Sequence, residues 1–448
     1  MSQELVREKD VSTDTANSNA WCCTALWDST TQKPILQPII TTSTTSTSTT
    51  GYHDDMDDDI RRRRDTLVVN GLDLTTAPDW MEWIASCEDR DSDEGGAGAY
   101  DTMRCDLIVF HKGEEATNGD RRHSCWGEDF HLDRLQQSYL SLLESPQRDQ
   151  KVPTDQTLQM AREESKLLLQ ALIREAKNSC ACMGLSAASL QQQQQHDNNP
   201  HQTWIQILKL TLLWSIPKTT RQQQQESSIV VRGHACSNGK LDSVFQPVQP
   251  IVVTGAILKQ QNHDVDKDLL PTRFQNPQSK VASWCKQRKK MDNPETYKPP
   301  GVSEVLMLKQ NNDDSLELLE GLSSNVFVVY KDGTLRTAHK GVLFGYVRHL
   351  VLQFADKCNL QVDTTSATLQ DAVDGKWSEV FITSSSRLIY PISRILLLKK
   401  VDDGSGGFEE FWRDPRLTAT NDEGALSPPL PKWQELLEEI LRSAGYEK

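Results

Sequence analysis

Lys280, Glu320 and two small-residue loops are the parts of this chain whose types and spacing could do chemistry. Lys280 opens the segment KVASWCKQRKK, in which Val281, Trp284, Cys285 and Arg288 share one helical face. A lysine beside that apolar face would be partly desolvated, which lowers its pKa and frees the amine as a nucleophile. Local sequence alone favours the plainer reading, a solvated helix lysine. Glu320 stands just before a turn of small residues (Gly321, Ser323, Ser324, Asn325), ahead of a hydrophobic strand from Val326 to Tyr330. Held at a strand end, its carboxylate could pair with a protonated ring nitrogen and keep it charged; alone, it reads as a surface glutamate. Gly345-Tyr346-Val347-Arg348 and Thr383-Ser384-Ser385-Ser386 each offer small residues where backbone amides could approach an anion, the first at a helix start. Arg134, in FHLDRL, is a guanidinium suited to a phosphate or simply an exposed helix arginine. A carboxylate at a strand end and a glycine loop at a helix start could grip the two ends of one flat, phosphorylated ligand.

These residues need strands and helices to hold them, and 448 residues are enough for two or three domains with cores of their own. Residues 1–64 are Ser/Thr-rich and charged, with little apolar material to offset the entropy of ordering, so they read as a disordered tail. Strands are expected at Thr66 to Asn70, over AYDTMRCDLIVF after the Gly95–Gly98 turn, over WIQILKLTLLWSI and over QPIVVTGAIL. A helix is expected from Phe130 to Glu144. Another follows Pro153-Thr154, burying Leu158, Ala161, Leu168, Leu172 and Ile173, with Thr154 or Asp155 as its cap. The runs Gln191–Gln195 and Gln222–Gln225 read as long surface loops. After Tyr330 come an Asp332-Gly333 hairpin turn and a helix from the Gly345 loop. A last amphipathic helix carries Trp433, Leu436, Leu437, Ile440 and Leu441. The expected class is therefore α/β (α+β), with the folded parts divided between Pro217 and Pro250: a small domain over 65–248 and a larger one over 249–448.

Composition narrows the function classes. A formal charge of -14 disfavours nucleic-acid backbones, and the exception, Arg61 to Arg64, directly follows the acidic Asp54–Asp59 cluster as a solvated charge pair. The ten cysteines fit no metal-ligand spacing: Cys180-x-Cys182 has no partner pair downstream, so no metal site is expected. The most apolar run, Trp204 to Pro217, is short and carries Lys209, so it cannot span a bilayer. MSQELVREKD has neither a signal nor a transit character, and a cytoplasmic protein with reduced thiols is the expectation.

The order of these pieces closely resembles the class IV aminotransferases, the fold-type IV pyridoxal-phosphate enzymes that include branched-chain and D-amino-acid aminotransferases and aminodeoxychorismate lyases. The resemblance runs from Thr66 to about Ile395 and is strongest from Asn276 onward. Lys280 matches the lysine that carries the cofactor. The family's E-G-x-x-x-N-x-F motif matches Glu320, Gly321, Asn325 and Phe327, and L-x-G-x-x-R matches Leu343, Gly345 and Arg348. H-x-x-R-L matches His131, Arg134 and Leu135, and the late serine pair matches Ser384 and Ser385. The F-E-x-x-R part of the family's G-x-x-F-E-x-x-R strand aligns with Tyr100 to Arg104, with Tyr100 and Asp101 substituted, and Gly98 stands one position after the motif's glycine.

The resemblance implies a small α/β domain plus a larger pseudo-barrel domain, pyridoxal 5'-phosphate as cofactor, amino acid and 2-oxo acid substrates, and a homodimer. It implies Lys280 as the catalytic residue. Glu320 would hold the ring nitrogen, and Arg134, the Tyr346 and Val347 amides, Ser384 and Ser385 would hold the phosphate. A lyase releasing pyruvate and a non-catalytic protein that keeps the fold are the alternatives. Three departures stand out. Val347 occupies a position that is threonine in many members. Trp284-Cys285 lies where branched-chain enzymes place a cofactor-contacting tyrosine. Arg232-Gly-His234 has the letters of the D-amino-acid carboxylate trap but falls on the strand after the expected one.

Overall fold

The computed structural model describes residues 21–28, 31–40, 98–109, 123–144, 152–182, 204–215, 229–241, 248–258, 276–293, 297–400, 406–417 and 430–446, together with 81, 83–84, 87 and 245. The expected strand over 66–70 and both glutamine runs lie outside these residues.

The first half of the chain builds one sheet from β1 (Trp21–Asp28), β2 (Lys33–Ile40), β3 (Gly98–Val109), β4 (His123–Cys125), β5 (Trp204–Ser215) and β6 (Val230–Leu241). Their order is β2-β1-β6-β5-β3-β4, and neighbouring strands pair antiparallel throughout. Helices α1 (Glu128–Leu143) and α2 (Asp155–Cys182) cover this sheet. On α2 the apolar positions read from the helical spacing, Leu158, Ala161, Leu168, Leu172 and Ile173, are buried; of the face read on α1, Leu135, Tyr139 and Leu143 are buried and Phe130 and Leu142 are partly exposed. The Thr154 hydroxyl accepts the Thr157 amide (3.2 Å), capping α2.

The tail reading is corrected over residues 21–40. They form a hairpin whose first strand, β1, continues the sheet beside β6. Cys22, Cys23, Ala25 and Trp27 are buried there, the turn closes on a Thr31–Asp28 hydrogen bond (2.7 Å), and Gln32 takes φ 53°. The short apolar run was diluted by its Ser/Thr-rich flank. Its energy comes from burial against β6 and α2, which composition does not register.

The second half builds the other sheet from β7 (Ile251–Leu258), β8 (Val302–Gln310), β9 (Leu316–Gly321), β10 (Asn325–Tyr330), β11 (Thr334–Arg336), β12 (Gln361–Asp363), β13 (Trp377–Ser384), β14 (Leu388–Lys400) and β15 (Gly406–Arg413). The path runs β12-β11-β10-β13-β14-β7-β8-β9, and β9 also pairs β10, so β10, β13, β14, β7, β8 and β9 close into a barrel. The closing register pair is Glu320 with Asn325. Closure removes the exposed edges that an open sheet would leave. Because β7 and β8 are parallel, the chain must cross over between them, and that crossover carries α3 (Ser283–Met291) and Lys280 just before it. Helices α4 (Tyr346–Phe354), α5 (Leu369–Val373) and α6 (Lys432–Ser443) complete this half. Sheet membership changes between Leu241 and Ile251. No helix among the described residues is long and apolar enough to cross a membrane.

Candidate active site

One cavity of about 690 Å³ brings together residues of both sheets, and every candidate catalytic or cofactor-holding residue lines it: Arg134, Lys280, Glu320, Tyr346, Val347, Ser384 and Ser385. On β3 the side chains alternate. Tyr100, Thr102 and Arg104 line the cavity, whereas Asp101, Met103 and Cys105, buried as well, do not.

Main-chain bonds place Lys280. Its carbonyl accepts the Tyr100 amide (3.0 Å), its own amide donates to Ser138 Oγ (3.0 Å), and Ala282 donates to the Gly98 carbonyl (2.8 Å). This stitching holds Lys280 in extended chain against β3, so α3 starts at Ser283 rather than at the lysine. Lys280 Nζ lies 3.5 Å from Asp101 Oδ1 and 5.4 Å from the centre of the Tyr100 ring. The expected apolar face is present: Val281, Trp284 and Cys285 are buried beside it.

Asp101 is the hub that the sequence reading passed over. Arg134 grips it with Nε (2.7 Å) and Nη2 (2.6 Å), His131 Nδ1 stands 3.2 Å away, and the Thr102 amide donates to it (2.6 Å). Burial opposes its ionisation. Arg134, then Lys280 and His131, nevertheless hold the carboxyl well below its ordinary range. Burial also lowers the His131 pKa, against the pull of Asp101. Arg134 is thus not a bare phosphate ligand: its Nη1 donates to the Phe344 carbonyl (2.8 Å), leaving one Nη1 hydrogen unassigned among the described residues. The signal for Asp101 lay in its place at the motif's acidic position, one strand-step from the cavity face.

Glu320, 1 % exposed at the barrel seam, accepts the Leu343 amide at Oε2 (3.0 Å) and faces Asn325 Nδ2 (3.4 Å). Asn325 also donates to the Leu343 carbonyl (2.6 Å), tying the seam to the loop before α4. Gly345 begins that helix. A Cβ there would collide with Asn325 Oδ1, so the close approach requires glycine. No side chain caps α4, and its first amides stand at the cavity wall where a helix start favours anions. Gly127, at φ 64°, similarly leaves room for the Tyr346 ring. Val347 is buried, so this position offers only its backbone.

The β13–β14 turn supplies the remaining wall. Ser384 Oγ accepts the Arg387 amide (3.3 Å), and the buried Thr383 Oγ1 has no hydrogen-bond partner among the described residues. Arg232 and His234 are elsewhere. Arg232 bonds Ser215 (2.6 Å), His234 meets Cys22 (3.0 Å), and neither lines the cavity, in keeping with their place on the strand after the one such a carboxylate trap would need.

Residues 253–395 match the family profile described as amino-transferase class IV. Over that segment the chain is similar to the class IV aminotransferases. A search of the curated proteins found no match. Among solved structures, the chain is similar to a branched-chain aminotransferase from the archaeon Thermoproteus uzoniensis, with 16% identity, 78% of this chain and 86% of that one covered, and a TM-score of 0.45. It is also similar to the branched-chain amino acid aminotransferase from Escherichia coli (17% identity, 67% and 77% covered, TM-score 0.40). A third is a fold IV transaminase from Curtobacterium pusillum (20% identity, 72% and 83% covered, TM-score 0.40).

Proposed function

We propose that the chain is a pyridoxal-phosphate-dependent aminotransferase-like enzyme that moves an amino group between an amino acid and a 2-oxo acid. The observation that carries this reading is the convergence of Lys280, Glu320 and the uncapped start of α4 on one cavity. Their chemistry fits the cofactor: a buried carboxylate for a ring nitrogen, helix-start amides and hydroxyls for a phosphate, and an amine beside them. Thr383 Oγ1, buried and unpartnered, and the spare Nη1 hydrogen of Arg134 are polar groups that such a ligand would satisfy.

When bound, the cofactor supplies an electron sink for charge developing at the substrate carbon. Glu320 would hold the ring nitrogen, already fixed by Leu343 and Asn325. Tyr346 and Val347 amides with Ser384 and Ser385 would hold the phosphate, and Arg134 would brace that end through Asp101 and Phe344. Lys280 Nζ, steadied 3.5 Å from Asp101, would take and return the proton at the substrate's α-carbon. We place the working unit as a cytoplasmic homodimer.

The test is a visible spectrum of the purified protein with pyridoxal phosphate, before and after borohydride, followed by peptide mapping. Covalent label on Lys280 is the expected result. A protein that takes up none of the cofactor ends the proposal. Assays of amino donors with 2-oxoglutarate, beside pyruvate release from aminodeoxychorismate, separate transamination from elimination.

A further inference from the structure

The turn between β13 and β14 carries a guanidinium to which the proposed reaction gives no role. Arg387 follows three serines and precedes Leu388, whose φ of 61° redirects the chain into β14. The Ser384 hydroxyl holds its amide. Its side chain is anchored at a single nitrogen: Nη2 donates to Glu304 Oε2 (3.1 Å) and to Ser323 Oγ (3.2 Å). Glu304 is 1 % exposed and is itself braced by Ser323 (2.7 Å) and Ser324 (3.3 Å). Among the described residues no hydrogen bond engages Arg387 Nε or Nη1, and the side chain, 29% exposed, lines the cavity. A guanidinium locked at one corner with its other donors open is a pre-set receptor for a carboxylate.

A second arginine, from the other sheet, stands on the same cavity. Arg104 is 3% exposed, its Nε is held by Asp106 (2.6 Å), and its buried Nη2 has no partner among the described residues. Two guanidiniums with open donors, one from each sheet, suit a ligand that carries an acid group at each end.

We infer that Arg387 is a specificity-determining residue that receives the second carboxylate of a dicarboxylic amino acid or 2-oxo acid. The inference rests on the proposed function for the word substrate, but its geometry can be tested without turnover. Glutarate and valerate, unreactive acids of equal chain length with two carboxylates and one, are titrated calorimetrically into the full-length protein with and without added pyridoxal phosphate. The wild type should bind glutarate about 10- to 100-fold more tightly, the span of one charge-assisted hydrogen bond. Arg387→Gln should close that gap to about twofold while leaving valerate unchanged, and Arg387→Lys should keep part of it, as a point charge not held in place by Glu304 and Ser323 in the same way.

Equal binding of the two acids by the wild type overturns the inference, and that comparison needs no variant to fold. Equal weakening of both acids in Arg387→Gln overturns it too, because the arginine would then hold the carboxylate they share. Loss of cofactor uptake in that variant assigns Arg387 to the phosphate instead. A wild type that takes up no pyridoxal phosphate yet prefers glutarate refutes the proposed function and leaves the Arg387 assignment standing.

Discussion

At the scale of single residues, Asp101 is the group on which the site turns. Four partners converge on one buried carboxylate, and two of them, Arg134 and Lys280, are cations. Removing one member of such a buried cluster costs about 3–5 kcal/mol, because the charge left behind has no water to turn to. Asp101→Asn keeps the volume and loses the charge, so its unfolding free energy, measured by urea titration at pH 7, should fall by an amount in that range. A change below about 1 kcal/mol would mean the cluster is not organised around Asp101. The pH dependence has a definite sign. The folded pKa lies well below the unfolded value of about 4, so the stabilisation is present above that value and lost as pH falls towards the folded pKa. Wild-type stability should therefore drop below about pH 4, and the drop should be smaller in Asp101→Asn.

At the scale of elements, the informative cases are helices whose ends were set by something other than their own sequence. The helical spacing after Lys280 is real, yet α3 begins at Ser283, because Val281 bridges Ala99 and the chain at 280–282 is held as a strand partner of β3. Local periodicity contains no trace of that contact. By contrast α6 was legible in full: Trp433, Leu436, Leu437, Ile440 and Leu441 are buried, and Leu437 reaches the cavity. Its anchor was not legible. Glu379, far away on β13, accepts the Lys432 and Trp433 amides (2.9 and 3.1 Å), replacing the side-chain cap that Pro431 cannot provide. Just beyond the helix, Tyr446 donates to Asp106 (2.7 Å) and stacks on Trp126, joining α6 to the strand that carries Arg104. Losing a helix N-cap costs about 0.5–2 kcal/mol. Glu379→Ala should lose about that much stability and speed amide exchange over 432–443. Unchanged exchange there would show that apolar packing alone holds the helix.

At the scale of the whole molecule, the cofactor-facing motifs were readable because each packs its chemistry into a few neighbouring residues: Glu320 to Asn325, the Gly345 loop, the Ser384 turn. What joins them was not readable, because the joins are long-range. The barrel closes through a single register pair, the hub Asp101 is gripped from α1, and Arg387 is braced by a glutamate on β8. The N-terminal hairpin belongs to the same class of contact, since β1 has no reason to order until β6 offers its edge. That makes it testable. If 21–40 were loose tail, its removal would leave the folded protein unchanged. With β1 in place, Cys23, Ala25 and Trp27 sit in the same apolar cluster as Leu168, Leu172 and Trp214. Trp27→Ala should then cost about 3–5 kcal/mol, the usual effect of truncating a buried aromatic. Truncation of residues 1–40 should lower the melting temperature at least as much, leaving β6 with an exposed edge and a tendency to associate. A truncated protein that melts with the wild type and stays monodisperse would return these residues to the tail.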